Sequence, residues 1–170
     1  MHRILLGFDG SASAQQALVF ADLLAGKLHA QLYIIAVAQP PVLPTEVDVR
    51  PTIERARQEC RQALRLARLK LSQPARVRIL VGHPAIQILR YARAHRIEHI
   101  VVGHRPRELL GYLRMSPVVR QLVALAPCPV TIVPNRAAKA STGRRAATGH
   151  ESTTAGLGIP KTSNTGQAVS

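Results

Sequence analysis

A chain of 170 residues that is 46% hydrophobic can bury one core without disulfide or metal staples. Its 23 Lys and Arg against 9 Asp and Glu give a net charge of +14. Aromatics make up only 3% and tryptophan is absent, which argues against a nucleic-acid partner, since such partners are read by stacking and base-edge groups as well as charge.

Ile4 to Phe8 is a short apolar run closed by Asp9-Gly10-Ser11, the pattern of a buried strand and a turn. Ala14, Ala17, Leu18, Ala21, Leu24 and Ala25 then recur at helical spacing, with Ser11 or Ser13 as the cap and Gly26 as the stop. Leu32 to Val37 is a second buried strand. The stretch from Ala38 to Pro51 holds four prolines and reads as a long loop, because proline removes ladder donors and fixes φ. Ile53, Ala56, Cys60, Ala63, Leu64, Ala67 and Leu71 form the apolar stripe of the next helix. Arg55, Arg61, Arg65 and Arg68 lie largely off that stripe, as a solvated face or a partner surface.

Arg76 to Val81 alternates as a third strand, and Gly82-His83-Pro84 turns into a helix that reaches about His95. Ile97 to Gly103 is the fourth strand, Ser116-Pro117 opens a helix to about Leu125, and Pro129 to Pro134 is the fifth strand. Strands alternating with helices predict an α/β fold of one domain over residues 1–135. It is a doubly wound, five-stranded parallel sheet with helices on both faces. Residues 136–170 are basic and rich in Ser, Thr, Gly and Ala, the composition of a disordered tail.

No apolar run approaches the ~18 residues of a membrane span, and the run after Met1-His2-Arg3 is too short for a secretory signal. Cys60 and Cys128 fall outside any CxxC pattern and read as small buried residues of a reducing compartment. The expected location is the cytoplasm.

In a parallel sheet, ligands sit beyond the carboxyl ends of the strands, so the loops opening at Asp9, Val37, Gly82 and Gly103 are the place to search. Asp9 is either a ligand for a ribose, an amide or a metal, or a carboxylate satisfying the first N–H groups of its helix. There is no GxGxxG and no GxxxxGK[ST], and the third strand ends without an aspartate to phosphorylate. His83 and His104 have no carboxylate or cysteine to complete a metal shell, and Ser11 has no base partner. No residue is expected to be catalytic and no metal is expected.

Asp9-Gly10-Ser11, Gly82-His83-Pro84, Val101-Val102-Gly103 and Pro127-Cys128-Pro129-Val130 occur in that order. In this the chain resembles the universal stress protein family over about Arg3 to Pro134. The resemblance implies a Rossmann-like fold of the adenine-nucleotide alpha-hydrolase type and pairing of two copies through the strand Val130 to Val133. It also implies an adenine-nucleotide site, ATP or a relative, drawn from Gly7, Asp9, Val37, Gly103, Arg105, Ser116 and Val118. Asp9 and the Val37 backbone would contact the adenosine. ATP-binding relatives carry glycine, two residues, glycine, nine residues, then Gly-Ser or Gly-Thr. This chain keeps Gly103 and the spacer Arg107 to Met115, but has Pro106 for the second glycine and Ser116-Pro117 for the final pair. Each proline removes an N–H that could meet a phosphate oxygen. Arg105, Arg107 and Arg114 are either a phosphate clamp or exposed loop charges. The leading expectation is a non-enzymatic, dimeric stress-response regulator with weak or lost nucleotide binding. The alternatives are an ATP-binding member with slow hydrolysis or autophosphorylation, and a basic nucleic-acid-associated protein.

Overall fold

A computed structural model describes residues 2–40, 49–104, 107–109 and 112–135, with 107–109 and 112–114 described by backbone alone. The chain runs β1 (Arg3–Gly7), α1 (Ala12–Lys27), β2 (Gln31–Ala38), α2 (Arg50–Arg68), β3 (Ala75–Val81), α3 (Pro84–Ala94) and β4 (His99–His104). It continues through β5 (Arg107–Leu109), β6 (Tyr112–Arg114), α4 (Pro117–Leu125) and β7 (Val130–Pro134). The predicted tail 136–170 and most of the proline-rich loop, residues 41–48, lie outside the described residues.

Five strands form one parallel sheet in the order β3-β2-β1-β4-β7. Side chains alternate across it. Ile4, Leu6, Leu32 and Ile34 pack under α1 and α2, while Leu5, Ile35, Ile100 and Val102 pack under α3 and α4. Each such Leu, Ile or Val contributes about 1.5–3 kcal/mol on burial. β1 and β2 therefore read as nearly unbroken apolar runs, as strands covered on both faces must.

The predicted boundaries shift where backbone hydrogen bonds decide them. α1 runs through Gly26 to Lys27, and the residue that turns left-handed is His29 (φ 48°). Ala30 N then donates to Ala25 O at 2.9 Å. α3 ends the same way, with Arg96 at φ 50° and Ile97 N donating to Ala92 O at 2.9 Å. Both are Schellman closures made without glycine, and the buried Ala30 and Ile97 that follow supply the apolar contact that offsets the strain. Ile97 is thus part of the helix exit, and β4 begins at His99. α2 starts at Arg50, which puts Pro51 in its first turn, where the missing N–H is harmless. The spacer Arg107 to Met115 holds the antiparallel pair β5–β6 with Leu109 opposite Tyr112.

Polar side chains tie neighbouring elements at two places. Asp22, buried on α1, accepts from Ser72 N (3.0 Å) and Ser72 Oγ (2.6 Å), fastening the α2–β3 turn to the helix. His99 Nε2 lies 2.7 Å from Thr131 Oγ1, joining β4 to β7. Burial pushes the His99 imidazole below its ordinary value of 6.5. The unfolded chain therefore takes up a proton that the folded one resists, so stability falls as pH drops below about 6.5. Melting followed from pH 7 to pH 5 should show this loss, and His99→Gln should reduce it; an unchanged slope would show that His99 does not contribute.

Candidate functional site

The strand order reverses beside β1: the chain lays β2 and β3 to one side and then β4 to the other. The carboxyl ends of β1 and β4 diverge there, which is where parallel sheets open a crevice. A cleft of about 350 Å³ occupies that position.

Its floor begins at the end of β1. Phe8 N donates to Ile35 O (2.8 Å), the last tie to β2 before the chain turns. Asp9 Oδ1 accepts from Ser11 N (3.0 Å), and Gly10 follows with φ 78°, a conformation that glycine adopts without strain. Ser11 is the cap of α1, its Oγ accepting from Ala14 N at 3.2 Å. The two sequence readings of Asp9 meet here. One carboxylate oxygen holds the turn, while Oδ2 has no partner among the described residues and Asp9 is exposed at the cleft.

Gly103 closes the opposite wall. A Cβ there would sit 2.4 Å from Ser13 C, 2.5 Å from Ser13 O and 2.6 Å from Ala14 N. All three are backbone atoms of the first turn of α1, so the glycine lets that helix approach β4. At Gly7 a Cβ would meet the tip of Ile88 at 2.9 Å, a softer restriction.

The third wall is the start of α4. Ser116 is its cap, with Oγ accepting from Val119 N at 3.3 Å, and Pro117 is the first helical residue. Helix N-termini bind anions through unsatisfied N–H groups. Here Pro117 has none and Val119 N–H is taken, which leaves the N–H groups of Ser116 and Val118.

Of the seven residues expected at the site, Gly7, Asp9, Val37, Gly103, Ser116 and Val118 line this one cleft. Arg105, with Pro106, lies outside the described residues, as do the side chains of Arg107 and Arg114. The loop at Gly82 does not line the cleft; Pro84 and Ile88 of α3 do. Sequence reasoning also missed Ala14, Ile35, Val119 and Gln39. Only Gln39 had a visible signal, a polar residue placed directly after a buried strand.

Among the described lining residues, Asp9 is the one charged side chain, set in walls of Phe8, Ile35, Val37, Ile88, Val102 and Val119. A second hollow of about 270 Å³ continues under α2 and shares Phe8, Asp9, Val37 and Gln39 with the first. Cys60 lines it, free and half-buried, and Cys128 is likewise free and half-buried on the other side of the sheet. Burial pushes both thiols up, away from reactive thiolate. No group of three or more metal-ligating side chains occurs among the described residues, and no described helix is long and apolar enough to cross a membrane.

Residues 1–134 match the model of the universal stress protein family. The chain belongs to that family. It is 30% identical over 137 residues to a universal stress protein of Thermus aquaticus, covering 76% of this chain and 96% of that one. Its fold superimposes on a universal stress protein family member from Burkholderia pseudomallei with a TM-score of 0.64 and 27% identity, covering 78% of this chain and 95% of that chain. A universal stress protein family protein from Arabidopsis thaliana, solved with AMP bound, matches with a TM-score of 0.61 at 17% identity, covering 82% and 95%. Within the universal stress protein framework, the cleft between β1, β4 and α4 is this chain's candidate site.

Proposed function

We propose that this universal stress protein is a non-enzymatic, dimeric stress-response regulator of the cytoplasm whose strand-end cleft holds an adenine nucleotide weakly or not at all. One observation carries the reading: the helix that faces the cleft starts with Ser116-Pro117, so two of the four amides at its start are lost to an anion, one to proline and one to the cap. The Arabidopsis thaliana relative was solved with AMP, which supports an adenine nucleotide as the ligand class. Asp9 Oδ2 and the Val37 backbone remain available to the nucleoside part. The phosphates have less to hold them, and a chain of anions beside Asp9 is repelled. A lone titratable group among the described lining residues supports binding without turnover.

Pairing of two copies is supported by β7, which among the described strands pairs with β4 and otherwise forms an edge of half-buried Val130, Thr131, Ile132 and Val133. Equilibrium dialysis of the purified full chain, run with light scattering, tests both halves. The expected result is little AMP or ATP retained at micromolar ligand and a mass of two chains. Tight ATP binding with slow phosphate release would replace this reading with an ATP-hydrolysing one, and a monomer at micromolar protein would remove the dimer.

A further inference from the structure

A groove of about 440 Å³ lies on the far side of the molecule, between α2 and the edge strand β3. Leu64, Val77 and Ile79 form its floor, and Arg61, Arg65, Arg68 and Arg78 line it. Arg61, Arg65 and Arg68 recur every three or four residues of one helix, a row about 10 Å long at 1.5 Å per residue. All four are exposed. Arg61 reaches Glu54 at 3.6 Å, and Arg78 Nη1 donates only to the neighbouring Val77 carbonyl at 3.4 Å. Arg65 and Arg68 have no acidic partner among the described residues. One or two charges protect a sheet edge from pairing. Three guanidiniums along the α2 wall of a concave, apolar-floored groove go further, and Arg78 alternates to the opposite face of β3, toward Tyr91.

The other face of the same strand carries rings. Arg76 stands over the Tyr33 ring at 5.9 Å, and Tyr91 stacks on His95 with centroids 3.8 Å apart and planes 12° from parallel. His95 is exposed. Aromatics are scarce in the chain, but the fold brings two of its three tyrosines to this edge. Composition argued against nucleic acid because few stacking groups accompany the charge; at β3 the groove and the rings occupy the two faces of one edge strand, with Arg76 and Arg78 beside the rings.

We propose that the β3 edge binds single-stranded nucleic acid, with phosphates in the arginine groove and an unpaired base against the Tyr91–His95 stack. Guanidiniums grip phosphate oxygens through paired N–H donors, and ring stacking accepts any base without reading sequence. A duplex keeps its bases inside and gains nothing from the rings, while an acidic peptide has charge but no base to stack.

The test is fluorescence anisotropy of a labelled 15-nucleotide oligo-uridine with the full chain, a length on the order of one single-strand binding site. Three phosphate contacts at a slope of about −0.7 each give an affinity that falls about twentyfold from 50 to 200 mM salt. Arg65→Gln/Arg68→Gln should weaken binding about tenfold or more, whereas Lys27→Gln/Arg120→Gln, which removes equal charge elsewhere, should leave it within about twofold. His95→Ala/Tyr91→Leu should cost about tenfold, with thermal melting confirming that each variant is folded. No anisotropy change at 50 mM salt overturns the proposal, as does equal loss in the Lys27/Arg120 variant. Equal affinity for a duplex of the same length would discard the stacked base, and tighter binding of poly-glutamate would make the edge a protein-docking surface instead.

Discussion

Gly103→Ala is expected to destabilise the protein by about 3 kcal/mol, near the top of what one added methyl causes, because nothing beside it can yield cheaply. The new Cβ would lie 2.4–2.6 Å from backbone atoms of Ser13 and Ala14. Those atoms belong to the first turn of α1, whose cap contact from Ala14 N to Ser11 Oγ places Ser11 and, through Ser11 N, Asp9. Relief of the clash therefore moves α1 away from β4, and the cleft wall moves with it. Gly7→Ala sets the scale for a milder change. Its Cβ meets the far end of the Ile88 side chain at 2.9 Å, a rotamer shift away from relief, and about 1 kcal/mol is expected. Urea unfolding of both variants measures the contrast. Equal losses, or a Gly103→Ala variant as stable as the parent, would show that α1 and β4 are not held as closely as described.

The second large effect concerns ligand affinity. Pro106→Gly/Pro117→Ser returns an N–H at each position, one of them in the first turn of α4 at the cleft. A hydrogen bond to a charged group is worth about 1.5–3 kcal/mol, so two should tighten ATP binding by about 3 kcal/mol, on the order of a hundredfold. Loss of proline at the first helical position costs α4 a fraction of a kcal/mol, too little to mask the gain. Isothermal titration of the parent and the double variant with ATP and with adenosine separates the terms. The gain should appear for ATP and not for adenosine, which has no phosphate. An equal gain for both, or none for either, would mean that the prolines do not limit phosphate binding.

Much of this molecule follows from the order of residues alone. The strand–helix alternation is legible because each strand is an apolar run of strand length and each helix carries an apolar stripe, a periodicity that survives without any tertiary contact. Asp9, Gly103 and Ser116 could be singled out for a similar reason: turn and cap residues sit at element ends, and element ends of a parallel sheet face one edge. The departures share a cause. Gly26 looked like a helix stop, but His29 and Arg96 take the left-handed position because buried Ala30 and Ile97 hold the chain there, a packing term that propensity does not contain.

What only the tertiary structure decided is proximity. Ile88 and Pro84 line the cleft because α3 packs against β2 and α4 with the Ile88 tip beside Gly7, and nothing in the local sequence of α3 carries that information. Gly103 read as a phosphate-loop glycine, whereas the fold shows that it also makes room for the backbone of α1, ninety residues away in the chain. Arg65 and Arg68 read as a solvated face or partner surface of one helix, and the fold sets them on one side of the β3 edge with Tyr91 and His95 on the other. Local order sets which elements form, through periodicity and caps. Long-range packing, whose partners are distant in sequence, sets which of their side chains meet.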